Sequence, residues 1–266
     1  GDNTVALTVE DEYGNTATCQ ATVTVQDVID PAAICKDITV QLDGTGNVSI
    51  TGADVNNGSN DECGIQSLDV SPSAFTCTDA GDNTVMLTVT DNNGNTSTCT
   101  AIVNVEDNIA PTAVCQDITV QLNTAGDASI NYSDIDNGST DNCGIDSRSV
   151  VPNTFDCNDV GTPVTVTYTV TDAAGNSDNC NATVTVEDNV NPEAICNDIT
   201  IQLDGTGNAS IVAADIDNGS NDACGVGGLS ASPSLFTCAN IGANTVTLTV
   251  TDNNGNANTC NATVTV

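Results

Sequence analysis

The chain has 266 residues, with 36 acidic side chains against 2 basic ones, no histidine and no tryptophan, for a formal net charge of -34. Such a field repels phosphate backbones and anionic lipid, which argues against nucleic-acid and membrane-surface roles, and it attracts divalent cations. No run of about 20 apolar residues is present, so no segment reads as a membrane-crossing helix.

In chain order the first 25 residues, GDNTVALTVEDEYGNTATCQATVTV, match residues 81–105. The segments PAAICKDITVQL, PTAVCQDITVQL and PEAICNDITIQL then begin at Pro31, Pro111 and Pro192, a period of 80 and then 81 residues. That period is too long for a helical solenoid repeat and suits a small all-β module. It predicts full repeats at 26–105, 106–186 and 187–266, preceded at 1–25 by the C-terminal part of another, as in a window cut from a longer array.

Within 106–186 the elements follow in order. EDNIAP is a linker, because Pro111 resists ladder pairing. VCQDITVQL is a first strand, ASINYSDI a second, and DNGSTDNCG a long loop. GIDSRSVVPNTFDC gives short strands around Pro152, and TPVTVTYTVTD with SDNCNATVTV closes the repeat as a hairpin around AAGN. The alternation of Val and Thr in TVMLTVTD and TVTYTVTD is that of half-buried strands. About seven short strands per repeat predict an all-β fold, tandem immunoglobulin-like sandwiches in a linear array with two disulfides per repeat.

Thirteen cysteines are present, four in each full repeat, with Cys19 left over. Clustered cysteines can hold zinc, but there is no histidine and no CxxC spacing here. Four cysteines allow three pairings, and spacing alone does not choose among them. In a sandwich the first strand commonly runs parallel beside the last. That points to first with fourth, Cys35–Cys99, Cys115–Cys180 and Cys196–Cys260, and leaves second with third, Cys63–Cys77, Cys143–Cys157 and Cys224–Cys238. Closing the shorter loop would contribute roughly 3 kcal/mol. The partner of Cys19 is expected outside the chain. A core of Val, Ile, Thr and Ala with so few aromatics buries little area, so crosslinks supplement it, and an oxidising, extracellular location follows.

Three acidic motifs recur. The turns DEYGN, DNNGN, DAAGN and DNNGN, from Asp11, Asp91, Asp172 and Asp252, read as bulged hairpin turns capped by their aspartate. The linkers carry Glu106 and Asp107, then Glu187 and Asp188, just before a proline; the first copy, QDVID, lacks the glutamate. They are similar to the acidic linkers of cadherin-like arrays, where calcium between modules stiffens a rod. Calcium takes six to eight oxygens, so a neighbouring loop must complete the set. The loops DVNNGSNDECG, DIDNGSTDNCG and DIDNGSNDACG supply the candidates Asp54 and Asp61, then Asp134, Asp136 and Asp141, then Asp215, Asp217 and Asp222, with Asn56 where the later copies have aspartate. A solvated loop is the competing reading. The sequons at Asn181 and Asn261 would be glycosylation acceptors in a eukaryotic secreted chain.

DNCG, the VG turn, TVTYTVTDAAGN, a cysteine and ATVTV together resemble the hyalin repeat (HYR) family, an immunoglobulin-like module of extracellular proteins. They are also similar to tandem arrays in large secreted bacterial surface proteins and adhesins. The resemblance spans all the repeats and implies adhesion or spacing at surfaces, with no catalytic residues. The second pair of cysteines departs from the simplest hyalin pattern, so the family's disulfide connectivity does not carry over.

Three functions compete. A stalk or shaft of a cell-surface adhesin or filament, calcium-stiffened, fits the repetition, with further copies of the repeat as partners, self-association into filaments, and surface glycan or protein bound at a distal tip. A module that itself binds glycan or protein would need exposed aromatic platforms, and there are only three tyrosines. An enzyme is disfavoured by the lack of histidine and by identical chemistry in every copy. With one lysine in the chain, Lys–Asn isopeptide bonds cannot carry load throughout such an array.

Overall fold

The computed structural model describes residues 1–266. A hairpin of β1 (Asp2–Glu10) and β2 (Thr16–Thr24) comes first. There follow β3 (Ile38–Gln41), β4 (Asn47–Ser49), the single-turn α1 (Gly52–Val55), β5 (Ile65–Ser71), β6 (Ala74–Thr76), β7 (Gly81–Asp91) and β8 (Thr96–Glu106). The same order recurs as β9 (Ile118–Gln121), β10 (Asp127–Ser129), α2 (Tyr132–Ile135), β11 (Ile145–Val151), β12 (Thr154–Asp156), β13 (Val164–Asp172) and β14 (Ser177–Glu187). It recurs again as β15 (Ile199–Thr200), β16 (Asn208–Ser210), α3 (Ala213–Ile216), β17 (Val226–Ser232), β18 (Leu235–Thr237), β19 (Ala243–Asp252) and β20 (Ala257–Thr265).

Each recurrence is an immunoglobulin-like sandwich. In the first, a four-stranded sheet in the order β3-β8-β7-β5 faces the two-stranded sheet β4-β6. Strict alternation puts Val85, Leu87 and Val89 of β7 and Val103 and Val105 of β8 into the core, while the intervening polar residues of these strands stay more accessible. Ile50, Val55 and Phe75 pack over that face, and Leu42, which continues β3 and hydrogen-bonds to Glu106 of β8, joins the same core. Truncating any of these to alanine would cost about 2 to 5 kcal/mol, large for a core this small.

The strand order also explains one set of crosslinks. β3 runs parallel to β8 with Ile38 opposite Val103, so Cys35, three residues before Ile38, and Cys99, four before Val103, reach the same end of the sheet. They are bonded, with Cα atoms 5.9 Å apart. Cys115–Cys180 and Cys196–Cys260 are bonded in the same way.

The expected bonds Cys63–Cys77, Cys143–Cys157 and Cys224–Cys238 are not formed. Cys77 is bonded to Cys143, and Cys157 to Cys224, with Cα separations of 5.3 and 5.2 Å. The crosslink therefore runs from one repeat to the next. The reason is distance: β5 carries the chain about 20 Å from Cys63, and the short β6 recovers only about half of that, against a Cα limit near 7 Å. Cys19, Cys63 and Cys238 are free and exposed.

By its internal contacts the chain divides into two compact units, residues 1–110 with 141–144 and 172–176, and residues 111–140 with 145–171 and 177–266. The loop bearing Cys143 and the turn Asp172–Asn176 thus pack with the first unit.

Candidate metal site beside the crosslinks

The site grows out of a hairpin turn. In the turn Asp172–Asn176 the Asp172 carboxylate accepts the Asn176 backbone N–H at 2.8 Å and its side-chain amide at 2.8 Å. The same amide donates to the main-chain carbonyl of Asp107 at 3.0 Å, which draws the acidic linker against the turn. Asp91 with Asn95 and Asp27, and Asp252 with Asn256 and Asp188, repeat this arrangement. All three turn aspartates are buried. Burial alone would raise the Asp91 carboxyl, but hydrogen bonds from Asn95, Asn93 and Gly94 hold it below its usual range.

The Cys143 loop adds the third wall. Asp141 accepts the Cys143 N–H at 2.7 Å, and the Asn142 amide donates to Asp107 Oδ1 at 3.2 Å. Carboxylate oxygens of Asp107, Asp141 and Asp172 then lie within 4.8 Å of one another. Asp107 Oδ2, Asp141 Oδ1 and Asn142 Oδ1 are buried without a hydrogen-bond partner. Asp107 is only 7% exposed.

Two like charges at that separation repel by about 3.5 kcal/mol at an effective dielectric constant of 20. No side-chain cation offsets this. Arg148, one of the two basic residues, makes the chain's one ion pair, with Asp136 at 4.0 Å. Unpartnered, buried, all-oxygen donors whose spacing is about twice a Ca–O distance of 2.3–2.6 Å suit a hard divalent cation.

Two related clusters occur, Asp188 with Asp222 and Cys224, and Asp27 with Asp61 and Cys63. Asp188 Oδ2 and Asp27 Oδ2 are again buried and unpartnered. A hydrogen bond to Asp27 and the charge of that carboxylate, aided by Asp61 and Asp91, push the Cys63 thiol upward. Cys224 is held in its disulfide and offers no thiolate.

Of the residues expected from sequence, the structure thus brings Asp107 to Asp141 and Asp188 to Asp222, and places Asp61 beside Asp27. The others lie outside these clusters. Asp54, Asp134 and Asp215 cap the first turns of α1, α2 and α3 through the N–H groups of Thr51, Asn131 and Val212. Asp136 and Asp217 cap the loop at Ser139 and Ser220. Glu106 and Glu187 accept from the side chains of Gln41 and Gln121.

The sequence marks Asp172 as a turn cap; in the structure it caps the turn and also faces the cluster. The first linker, which lacks the glutamate of the later copies, still supplies Asp27 to a related cluster. The usable signal was the aspartate at 27, 107 and 188, at the repeat period.

No family model matches the chain, and no curated protein matches it in sequence. Among solved structures, it is similar to the extracellular cadherin domains 1–4 of protocadherin gamma B7, at 13% identity over 100% of this chain and 83% of that one, with a TM-score of 0.32. An I-band fragment of titin aligns at 12% identity over 90% of this chain and 99% of that one, with a TM-score of 0.37. Drosophila N-cadherin extracellular domains 1–4 align at 13% identity over 99% of this chain and 82% of that one, with a TM-score of 0.35. At such values the likeness carries no argument. The sandwich reading rests on the chain's own strand order. No helix is long and apolar enough to cross a membrane, which leaves β-barrels unaddressed.

Proposed function

We propose that the chain is a structural array of hyalin-like repeats in the stalk or shaft of an extracellular, surface-attached adhesin or filament, with calcium bound where one repeat meets the next. The observation that supports this best is the set of buried, unpartnered oxygens of Asp107, Asp141 and Asn142 beside a disulfide that already joins two repeats. A cation there relieves carboxylate repulsion and ties the linker to the following loop, so the joint stiffens when it binds. Asp107, Asp141 and Asp172 would hold the ion, with Asn142 and solvent completing the shell. The five disulfides belong to an oxidising compartment. Extracellular modules of this kind hold calcium with dissociation constants of about 0.1–1 mM.

Calorimetric titration of the intact chain with calcium, beside thermal melts in calcium and in chelator, tests the reading. The expected result is saturable binding in that range and a higher Tm with calcium. Absence of binding heat together with coincident melts would refute it.

A further inference from the structure

The loop that carries the second cysteine of each repeat is clamped to the hairpin turn of that repeat in two copies and left unclamped in the other. Asn92 donates its side-chain amide to the Cys63 carbonyl at 2.8 Å and its backbone N–H to the Gly64 carbonyl at 3.0 Å. Asn253 makes the same two bonds, to the carbonyls of Cys224 at 2.9 Å and Gly225 at 3.1 Å. Ala173 holds the corresponding place beside the Cys143 loop and makes neither. The loops otherwise share one backbone, with Gly64, Gly144 and Gly225 at φ +94°, +95° and +96°. A Cβ on Gly64 or Gly225 would meet the asparagine amide nitrogen at 2.7 Å, whereas one on Gly144 would meet nothing within 4 Å.

What faces the loop in place of the clamp is acidic. At this turn alone the aspartate, Asp172, joins the cluster formed by its loop and linker, whereas Asp91 and Asp252 lie outside theirs. Asp141 Oδ1 and Asn142 Oδ1 of the loop are buried and unpartnered, and no oxygen of the equivalent Asp61 or Asp222 is left so. Loop and turn therefore meet as two carboxylates, which repel each other unless a cation lies between them.

We infer that a divalent cation shared by Asp141 and Asp172 takes the place of the asparagine clamp, so that docking of the Cys143 loop, and with it the shielding of the Cys77–Cys143 disulfide, is conditional on calcium. The inference rests on calcium binding at Asp107, Asp141 and Asp172 and assigns that ion a regulatory consequence. Without the ion, the loop is held by the disulfide itself and by the Asn142 amide, which reaches the Asp43 carbonyl at 3.3 Å and Asp107 Oδ1 at 3.2 Å. The Cys224 loop keeps its Asn253 clamp with or without calcium. One crosslink between repeats is thereby gated by the ion: calcium closes the loop beside Cys77–Cys143, and chelation opens that bond to thiol attack. The other, Cys157–Cys224, is indifferent.

The test is the rate at which dithiothreitol cuts each bond in the intact, oxidised chain, read by alkylation and peptide mapping; the reagent is oxidised to its cyclic disulfide as the two cysteines leave as thiols. Calorimetry on the same sample reports calcium binding. In chelator, Cys77–Cys143 should be cut on the order of tenfold faster than Cys157–Cys224, because the two missing hydrogen bonds are worth about a factor of five each. Calcium that fills the Asp107 site should bring the first rate down to about the second and leave the second unchanged. Ala173→Asn, which restores the clamp, should slow the first bond in chelator and remove its response to calcium. Amide exchange of Cys143 and Gly144 in the unaltered chain should gain protection with calcium while Cys224 and Gly225 do not change, which reads the loop without any variant. Saturable binding with unchanged rates and exchange, or equal rates for the two bonds in chelator, would overturn the inference and leave the cation reading standing. A chain that binds no calcium would overturn both.

Discussion

Two crosslinks between repeats are built alike and differ in what stands beside them. At Cys77–Cys143 the residue before the second cysteine is Asn142, whose amide reaches both Asp107 Oδ1 at 3.2 Å and the Asp43 carbonyl at 3.3 Å. At Cys157–Cys224 that residue is Ala223, which offers only its methyl, 3.2 Å from where a Cβ on Gly126 would sit. The third member of the acidic cluster differs too. It is the Asp172 carboxylate in the first and the sulfur of Cys224, already in a disulfide, in the second. The same covalent joint therefore stands beside three carboxylates in one place and beside two carboxylates and a disulfide sulfur in the other.

The largest expected effect comes from breaking what the two share. Loops of 64 to 67 residues are closed by these bonds, and each is worth about 4 kcal/mol on a chain-entropy account. Reduction should lower the melting temperature of each repeat by on the order of 20 °C, measured by calorimetry with and without a phosphine reductant. A melt indifferent to reductant would mean that the cores suffice alone.

The next effect separates the two sites. Asp107→Asn should abolish the tighter class of calcium binding in a titration, and Asp188→Asn should remove a weaker class. Equal affinities at both would dissolve the contrast. Smaller again is the exchange of the distinguishing residue. Asn142→Ala should weaken the first site by roughly fivefold, the worth of about one hydrogen bond, and Ala223→Asn should strengthen the second by a similar factor.

The smallest effect lies in the loops that present the acids. At Asp136, burial opposes ionisation, but hydrogen bonds from Ser139 and the nearby Arg148 outweigh it and hold the carboxyl below its ordinary 3.8. Asp217 is likewise lowered, chiefly by the Ser220 side chain. Each folded carboxyl is harder to protonate than its unfolded form. Its contribution is present above pH 3.8 and lost as pH falls from there through the folded value. The first repeat has Asn56 in this place, donating nothing to that titration while still capping Ser59 at 2.9 Å. Asp136→Asn should flatten the acid limb of the second repeat's stability, read by urea melts between pH 2.5 and 5, and leave the limb of the first unmoved.

Much of the fold was legible because alternation is a local signal. TVMLTVTD and ATVTV announce which residues face inward, and the parallel first and last strands bring Cys35 and Cys99 together. The crosslink between repeats was not legible, because a periodic sequence gives every Cys143 an equivalent partner in its own repeat and in its neighbour, and only the path of β5 separates them. Half of the site was hidden for a related reason. Asp172 carries the ordinary marks of a turn residue, and its second role depends on Asn176 clamping a linker that is 69 residues away in sequence.

The spans 35–99, 77–143, 115–180, 157–224 and 196–260 overlap in succession. Every peptide bond between Cys35 and Cys260 is consequently bridged by at least one disulfide, including the linkers that bonds within repeats alone would leave bare. A protease that cuts this region once nicks the chain without severing it. The covalent thread from Cys35 to Cys260 survives any single backbone break between them, a redundancy useful to a molecule exposed to an environment it does not control.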